Sequence, residues 1–176
     1  ISMPLYFIMG VIVTSYYPKL IKTYKECHIT FNKYIVNLVR VSYALSVIII
    51  LPFLLFSDDI ISFLYGNEFS GSASIVKVHI LSIMFAYIAP IGSRWLMITG
   101  NLKYEFYKTI SGAMLNIALN LILIPKYACL GAAYASVIAY MFTNLVFFII
   151  PIKKIEWVIP FFYWITIILL LSVDFF

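Results

Sequence analysis

Three basic side chains lie inside long apolar stretches of this sequence. Arg40, Lys77 and Arg94 are each flanked by runs of aliphatic and aromatic residues. A charge in an apolar environment is costly, so each must face protein, water or lipid headgroups. One interpretation is that the long side chains extend their charges to a membrane surface. The other is that they line a cationic cavity, where the planar fork of Arg would donate two parallel hydrogen bonds to a phosphate.

A second set of polar residues recurs at helical spacing. Thr109, Gly112, Asn116 and Asn120 are separated by three or four positions, which places them on one face of a helix. The amides could hold neighbouring helices together through hydrogen bonds, or they could line a polar route. We therefore take five residues as candidates for lining a substrate-binding cavity, namely Arg40, Arg94, Lys77, Asn116 and Asn120.

No catalytic constellation stands out in the sequence. It has no HExxH, Walker A or GxSxG motif, and neither His28 nor His79 has a metal-ligand partner at a useful spacing. Cys27 and Cys129 likewise show no metal-ligand spacing and no disulfide framework. We expect no catalytic residue, no metal and no cofactor, and hence a protein that is not an enzyme.

The composition indicates the solvent in which these residues must work. Of 176 residues, 64% are hydrophobic and 11% charged, whereas a soluble domain carries about 25% charged residues. So little polar surface cannot cover a globule in water, so the composition predicts a membrane protein. The basic residues are spread between apolar runs rather than clustered, which argues against nucleic acid as a partner.

The elements that position these residues are predicted to be transmembrane helices. Residues 46–56 are almost continuously apolar, whereas barrel strands would alternate apolar and polar residues. A crossing needs about 20 apolar residues. We predict an all-α, polytopic bundle forming a single transmembrane domain over residues 1–176, with about six spans near residues 1–17, 34–56, 73–99, 107–124, 130–152 and 157–173.

Charges between the spans predict the topology. The segment of residues 18–33 carries four lysines, whereas residues 57–72 contain acidic residues and no Lys or Arg. Basic and non-basic loops alternate, apart from Lys126, so the positive-inside rule places the first, third and fifth loops in the cytoplasm. The sequence starts without Met inside an apolar run, and we expect it to be a fragment of a longer protein.

Several residues predict how the spans pack and bend. Gly131, Ala135 and Ala139 form a ridge of small residues that favours close helix approach. Pro52, Pro90 and Pro160 lie within or near spans and favour a bend. Each bend could be static, or it could serve as a hinge.

Specific strings resemble a known group of transporters. They are residues 13–20 (VTSYYPKL), residues 64–69 (LYGNEF), residues 115–127 (LNIALNLILIPKY) and residues 131–135 (GAAYA). These motifs and their order resemble those of the O-antigen flippases, a family of the multidrug/oligosaccharidyl-lipid/polysaccharide exporter superfamily. The resemblance covers about residues 18–152.

The resemblance implies a two-lobed helical bundle around a central cavity, of which this chain would be the carboxyl-terminal lobe. Its partners would be an amino-terminal lobe of the same protein, membrane lipids and a lipid-linked oligosaccharide substrate. The substrate would be an O-antigen or other polysaccharide repeat unit on undecaprenyl pyrophosphate. It would be moved from the cytoplasmic to the periplasmic leaflet of the bacterial inner membrane.

Two other functions stay open at this point. A multidrug or cation antiporter of the same superfamily would usually need an acidic residue within the membrane, whereas the clearly intramembrane charges here are basic. A membrane-embedded polysaccharide polymerase or acyltransferase would usually carry a large outer loop with His, Arg or Asp. The longest predicted outer loop, residues 57–72, is short and acidic.

Overall fold

The computed structural model describes residues 2–152, and this part of the chain is helical apart from short connections and contains no strand. The all-α prediction is confirmed for these residues. A short 3-10 helix, Asn67–Ser72, follows the second α-helix. The six α-helices are α1 (Ser2–Glu26), α2 (His28–Tyr65), α3 (Ala73–Ile80), α4 (Ser82–Ala86), α5 (Ala89–Ile98) and α6 (Leu102–Ile152).

Within residues 2–152, three stretches are long and apolar enough to cross a membrane. They are His28–Tyr65, Ala73–Ile98 and Leu102–Asn144. The chain is therefore a multipass membrane protein. The prediction was about six spans, of which the one at residues 157–173 lies outside the described residues.

The connections are shorter than the sequence predicted. Residues 18–33, expected to be a loop, are helical apart from Cys27, which separates α1 from α2. Most of the expected outer loop is helical too, because α2 continues to Tyr65 before the chain turns at Gly66 with φ 87°. A 38-residue helix is about 57 Å long, nearly twice the ~30 Å hydrocarbon core. Because a helix satisfies its own backbone groups, it need not end where the apolar run ends.

Helix α2 is kinked, but at a position that its proline alone does not explain. Phe56 has non-helical dihedrals (φ −126°, ψ 27°), four residues after Pro52. A proline disrupts the turn that precedes it. The helix resumes with Ser57, Asp58 and Asp59, and acidic residues stabilise the first turn of a helix. The segment after the kink therefore begins as a new helix would.

The predicted third span is one apolar stretch made of three short helices. It turns at Leu81 and again at Tyr87, where i→i+3 bonds such as Leu81 N to Val78 O (3.2 Å) replace regular helical ones. Pro90 lies in the first turn of α5, where its missing N–H costs nothing. Ile83 and Tyr87 are completely buried, so this broken stretch runs through the core.

Helix α6 is folded into a hairpin. Ala128 has φ 49° and ψ −128°, which interrupts the helix and separates a first arm (residues 102–127) from a second arm (residues 129–152). A Cβ built on Gly112 would lie 2.5 Å from Thr143 Oγ1. In one straight helix these residues would be about 46 Å apart. The two arms therefore run antiparallel to each other.

The ridge of small residues packs as predicted. Gly131, Ala135 and Ala139 are all buried. A Cβ on Gly131 would lie 2.3 Å from the backbone oxygen of Leu123 in the first arm. The absence of a side chain at Gly131 thus lets the two arms meet immediately after the turn.

Candidate functional site

A polar cleft of about 460 Å³ lies between α5 and both arms of α6. Its walls carry charged, hydroxyl and amide side chains in a chain that is otherwise strongly apolar. Polar and charged groups inside a membrane protein are rare and often mark substrate or ion pathways. The polar lining residues are Ser93, Glu105, Lys108, Thr109, Asn116, Ser136, Tyr140, Thr143 and Asn144.

An ion pair closes one wall of the cleft. Lys108 Nζ lies 2.8 Å from Glu105 Oε2, and the Lys108 side chain is only 9% exposed. Lys108 also donates to Ser93 Oγ (3.2 Å), and Ser93 donates to Glu105 Oε1 (2.7 Å). Each group therefore has a polar partner, which offsets the cost of removing the two charges from water. The net charge of the cluster is zero.

The two asparagines of the predicted polar stripe are bonded to each other. Asn120 Nδ2 donates to the side-chain Oδ1 and the backbone O of Asn116, at 2.9 Å each. Asn116 lines the cleft, whereas Asn120, one turn further along, does not. Asn116 thus faces the cleft, whereas Asn120 hydrogen-bonds to Asn116 from outside the cleft.

Asn144 of the second arm is the most deeply buried amide in the cleft wall, with 5% exposure. Its Nδ2 donates to the backbone O of Tyr140 at 2.9 Å. Its Oδ1 is fully enclosed and accepts no hydrogen bond from any residue in the described part of the chain. The cleft wall therefore contains a buried acceptor that no described residue satisfies.

The predicted cationic residues do not line this cleft. Arg94 of α5 points to α1, where its guanidinium carbon lies 5.0 Å from the ring centre of Tyr17 and Nη2 donates to Thr14 Oγ1 at 3.5 Å. Arg40 is exposed on α2. Aromatic rings attract cations, so Tyr17 holds the Arg94 side chain along α1 rather than against α6.

Lys77 lies in a different place again. Its Nζ is 3.1 Å from Asp58 Oδ2, so it links α3 to the segment of α2 that follows the kink. This ion pair is part of the contact between those two helices. Lys77 therefore does more than extend its charge to a membrane surface. The five predicted residues therefore lie in four places, and only Asn116 and its partner Asn120 lie at this cleft.

The comparison with known families identifies the group to which this chain belongs. The family model described as "Lipid II flippase MurJ" matches residues 1–175. The chain belongs to the MurJ family. This family is a lipid-linked flippase family of the superfamily named above, so the resemblance is confirmed at superfamily level, while its O-antigen branch is not supported. None of the curated proteins and none of the solved structures that were compared matches the chain.

Sequence reasoning missed the ion pair of this MurJ-family chain. Residues 100–106 were interpreted as a loop, whereas α6 begins at Leu102 and carries Glu105 in its first turn. The i, i+3 spacing of Glu105 and Lys108 was the available signal. Ser93 gave none, because its role depends on α5 and α6 packing together.

The same cleft shows no arrangement suited to binding a metal. Among residues 2–152, no three His, Cys, Asp or Glu side chains come together as a metal site would require. The cleft of the MurJ-family chain instead offers hydroxyl, amide and paired charged groups, which together favour hydrogen bonding to a polar, uncharged ligand.

Proposed function

We propose that this protein translocates a lipid-linked glycan precursor of the lipid II class across the bacterial inner membrane. The observation that carries the proposal is the family match over residues 1–175, in a chain whose described part is apolar and all-helical. About six crossings are part of the proposal: α1, α2, the broken stretch of α3 to α5, the two arms of α6, and residues 157–173.

The family match changes the substrate expected from the sequence. An O-antigen unit and lipid II share an undecaprenyl pyrophosphate carrier and differ in the glycan. The matching family is named for lipid II, so we propose the peptidoglycan precursor rather than the O-antigen unit. The features argued from the carrier lipid, including an anionic headgroup, apply to either.

Arg94 and Arg40 are the residues proposed to receive the pyrophosphate. Within residues 2–152 Arg94 contacts the Tyr17 ring, the Thr14 hydroxyl and the Met97 sulfur, and it forms no ion pair with a carboxylate. These contacts are weak, so its guanidinium can exchange them for a phosphate. Arg40 is exposed on α2. Arg40 lies in the first half of α2, and Arg94 lies near the end of the apolar stretch Ala73–Ile98. The positive-inside rule assigns both of these halves to the cytoplasmic side, where the substrate would enter.

The antiporter alternative needs an acidic residue within the membrane, and the structure offers one that is already ion-paired. Glu105 lies within the apolar stretch Leu102–Asn144, which the sequence interpretation had not recognised. Its carboxylate is ion-paired with Lys108 and bonded to Ser93. A carboxylate that already neutralises a buried lysine is poorly placed to carry a coupling ion as well.

The proposed activity is transport without covalent chemistry. A polymerase or acyltransferase would need a substantial outer loop, and between α2 and α3 the chain has only Gly66 and a six-residue 3-10 helix. Transport by rocking of two lobes about a central site is the general behaviour of such bundles. We propose that an amino-terminal lobe of the same protein forms the other half of that site.

The test is a pair of genetic rescues that differ only in substrate. The complete gene is expressed in one strain depleted of its lipid II flippase and in another lacking its O-antigen flippase. We expect growth to be restored in the first strain and surface O-antigen to stay absent in the second. Rescue of O-antigen alone, with the protein present in both membranes, would refute the lipid II assignment.

A further inference from the structure

The cleft between α5 and the α6 hairpin is not explained by pyrophosphate binding. Among residues 2–152, the charged residues that line it are Glu105 and Lys108, which neutralise each other at 2.8 Å. A pyrophosphate entering the cleft would approach the Glu105 carboxylate as closely as the lysine. An anionic ligand therefore gains little here, and the cleft favours a neutral one.

The buried Asn144 carbonyl identifies the kind of group that the ligand must present. Asn144 is 5% exposed, and its Oδ1 accepts no hydrogen bond within residues 2–152. A buried acceptor left unpaired is costly, so a ligand that donates to it would remove a penalty. The Asn144 Nδ2 is already used by Tyr140 O, so this amide would act as an acceptor.

A donor from an uncharged ligand fits better than a cation. The Lys108 ammonium lines the same cleft, and its positive charge would repel a bound cation. The Thr109 and Ser136 hydroxyls already donate to Glu105 O and Ala132 O, at 2.9 Å each, so they can accept from a ligand, while the Asn116 amide can donate. A volume of about 460 Å³ falls within the ~300–1,000 Å³ of ordinary small-ligand pockets.

These features are what a sugar requires. A sugar ring presents several hydroxyl groups, and an acetamido substituent adds one N–H donor and one C=O acceptor. We propose that this cleft is a binding subsite for the neutral sugar part of the lipid-linked substrate, with a hydroxyl or amide N–H donating to Asn144 Oδ1. This inference rests on the proposed function and adds to it a place where the glycan, rather than the carrier lipid, is recognised.

The consequence is a division of labour between two regions. Arg94 and Arg40 would contact the part of the substrate common to all undecaprenyl pyrophosphates. The cleft would contact the part that differs between them. Removing the Asn144 acceptor should therefore weaken binding of a glycan-bearing lipid and leave binding of the bare carrier unchanged.

The experiment compares two probes on the purified protein, expressed from its complete gene and embedded in nanodiscs. The probes are lipid II and undecaprenyl pyrophosphate without sugar. For Asn144→Leu we expect lipid II affinity to fall about tenfold, as for loss of a hydrogen bond to a buried group, and undecaprenyl pyrophosphate affinity to stay as in the wild type. The control is Asn101→Leu, an amide outside the cleft that already donates to Thr99 O, which should change neither affinity.

Three results would overturn the sugar subsite. They are an equal loss for both probes, no loss for either, and a loss that occurs only when sodium replaces choline as the buffer cation. If Asn144→Leu does not fold, Ser136→Ala removes a cleft hydroxyl with a smaller change, and we expect about a threefold loss of lipid II affinity alone. Failure of the wild type to bind either lipid would instead refute the proposed function on which the subsite rests.

Discussion

Single residues in this protein have roles set by their neighbours rather than by their types. Arg94 and Lys108 are both basic residues in apolar surroundings, yet Arg94 packs on Tyr17 while Lys108 is paired with Glu105. Within residues 2–152 no carboxylate pairs with Arg94, whereas the Glu105 carboxylate neutralises Lys108. Arg94 is therefore suited to an anionic group, and Lys108 to a neutral cleft.

Replacing Arg94 by Lys tests whether the planar fork matters. We expect Arg94→Lys to reduce lipid II translocation about tenfold, because an ammonium cannot donate two parallel hydrogen bonds to a phosphate. The measurement is the initial rate in proteoliposomes containing equal amounts of protein. The control is Lys103→Arg, the reverse exchange at a cation that stands 5.4 Å from the Tyr104 ring, which should leave the rate unchanged.

Arg40→Lys belongs to the same experiment. A charge that serves only membrane topology tolerates this exchange, since Lys reaches the interface as well as Arg does. Full activity of both Arg40→Lys and Arg94→Lys would reject the bidentate phosphate role. Charge alone would then account for the two residues.

At this scale the sequence predicted part of the site. The spacing of three and four residues predicted that Thr109, Gly112 and Asn116 share one helix face, and all three line the cleft. Glu105 and Lys108 were missed as a pair because the charged residues after Gly100 were interpreted as a loop. The buried state of Asn144 could not be predicted, since it depends on how the second arm packs.

The helices lie where the sequence has apolar runs, but the helix ends do not coincide with the ends of those runs. Sequence locates apolar runs well, since burial in lipid requires them. It does not show that α1 and α2 continue through polar residues to Cys27, nor that the stretch Ala73–Ile98 turns at Leu81 and Tyr87. The backbone can form hydrogen bonds whether the helix continues or turns at these positions. The packing against other helices therefore decides where each helix ends or turns.

Gly131 is the residue on which the α6 hairpin most depends. We expect Gly131→Ala to destabilise the protein by about 1–3 kcal/mol, the usual cost of overpacking, because the new Cβ would lie 2.3 Å from the Leu123 oxygen, a backbone atom that cannot rotate away. The measurement is the midpoint of thermal unfolding in detergent.

Gly10→Ala is the matched control for this prediction. A Cβ at Gly10, in the middle of α1, meets nothing within 4 Å, and Ala is the better helix former. We expect its unfolding midpoint to equal or exceed that of the wild type. An unchanged midpoint for Gly131→Ala would show that the two arms do not approach as closely as described.

For the whole molecule, the two cysteines report the topology directly. Both are exposed, Cys27 between α1 and α2, and Cys129 beside the hairpin turn. If the chain crosses the membrane as proposed, Cys27 lies in the cytoplasm and Cys129 in the periplasm. Hydrogen bonding to Thr30, together with the backbone N–H groups at the start of α2, lowers the pKa of the Cys27 thiol, so lack of reactivity would not explain a failure to label it.

The test uses an impermeant maleimide on intact spheroplasts. With Cys27→Ser, we expect Cys129 to be labelled at once. With Cys129→Ser, we expect Cys27 to be labelled only after the membrane is permeabilised. Because the Cys27 pKa is lowered, its labelling after permeabilisation should persist to lower pH than that of an ordinary thiol. The opposite pattern of accessibility would invert the proposed orientation and move Arg40 and Arg94 to the periplasmic side.

The protein as a whole is proposed to move a lipid whose polar headgroup could not cross the hydrocarbon core of the membrane unaided. The most direct test is translocation of fluorescent lipid II in proteoliposomes containing the purified protein, expressed from its complete gene. We predict that lipid II in the inner leaflet becomes accessible to an added peptidoglycan glycosyltransferase much faster than in protein-free vesicles. Equal rates with and without protein, in vesicles where the protein is folded and correctly inserted, would contradict the central claim.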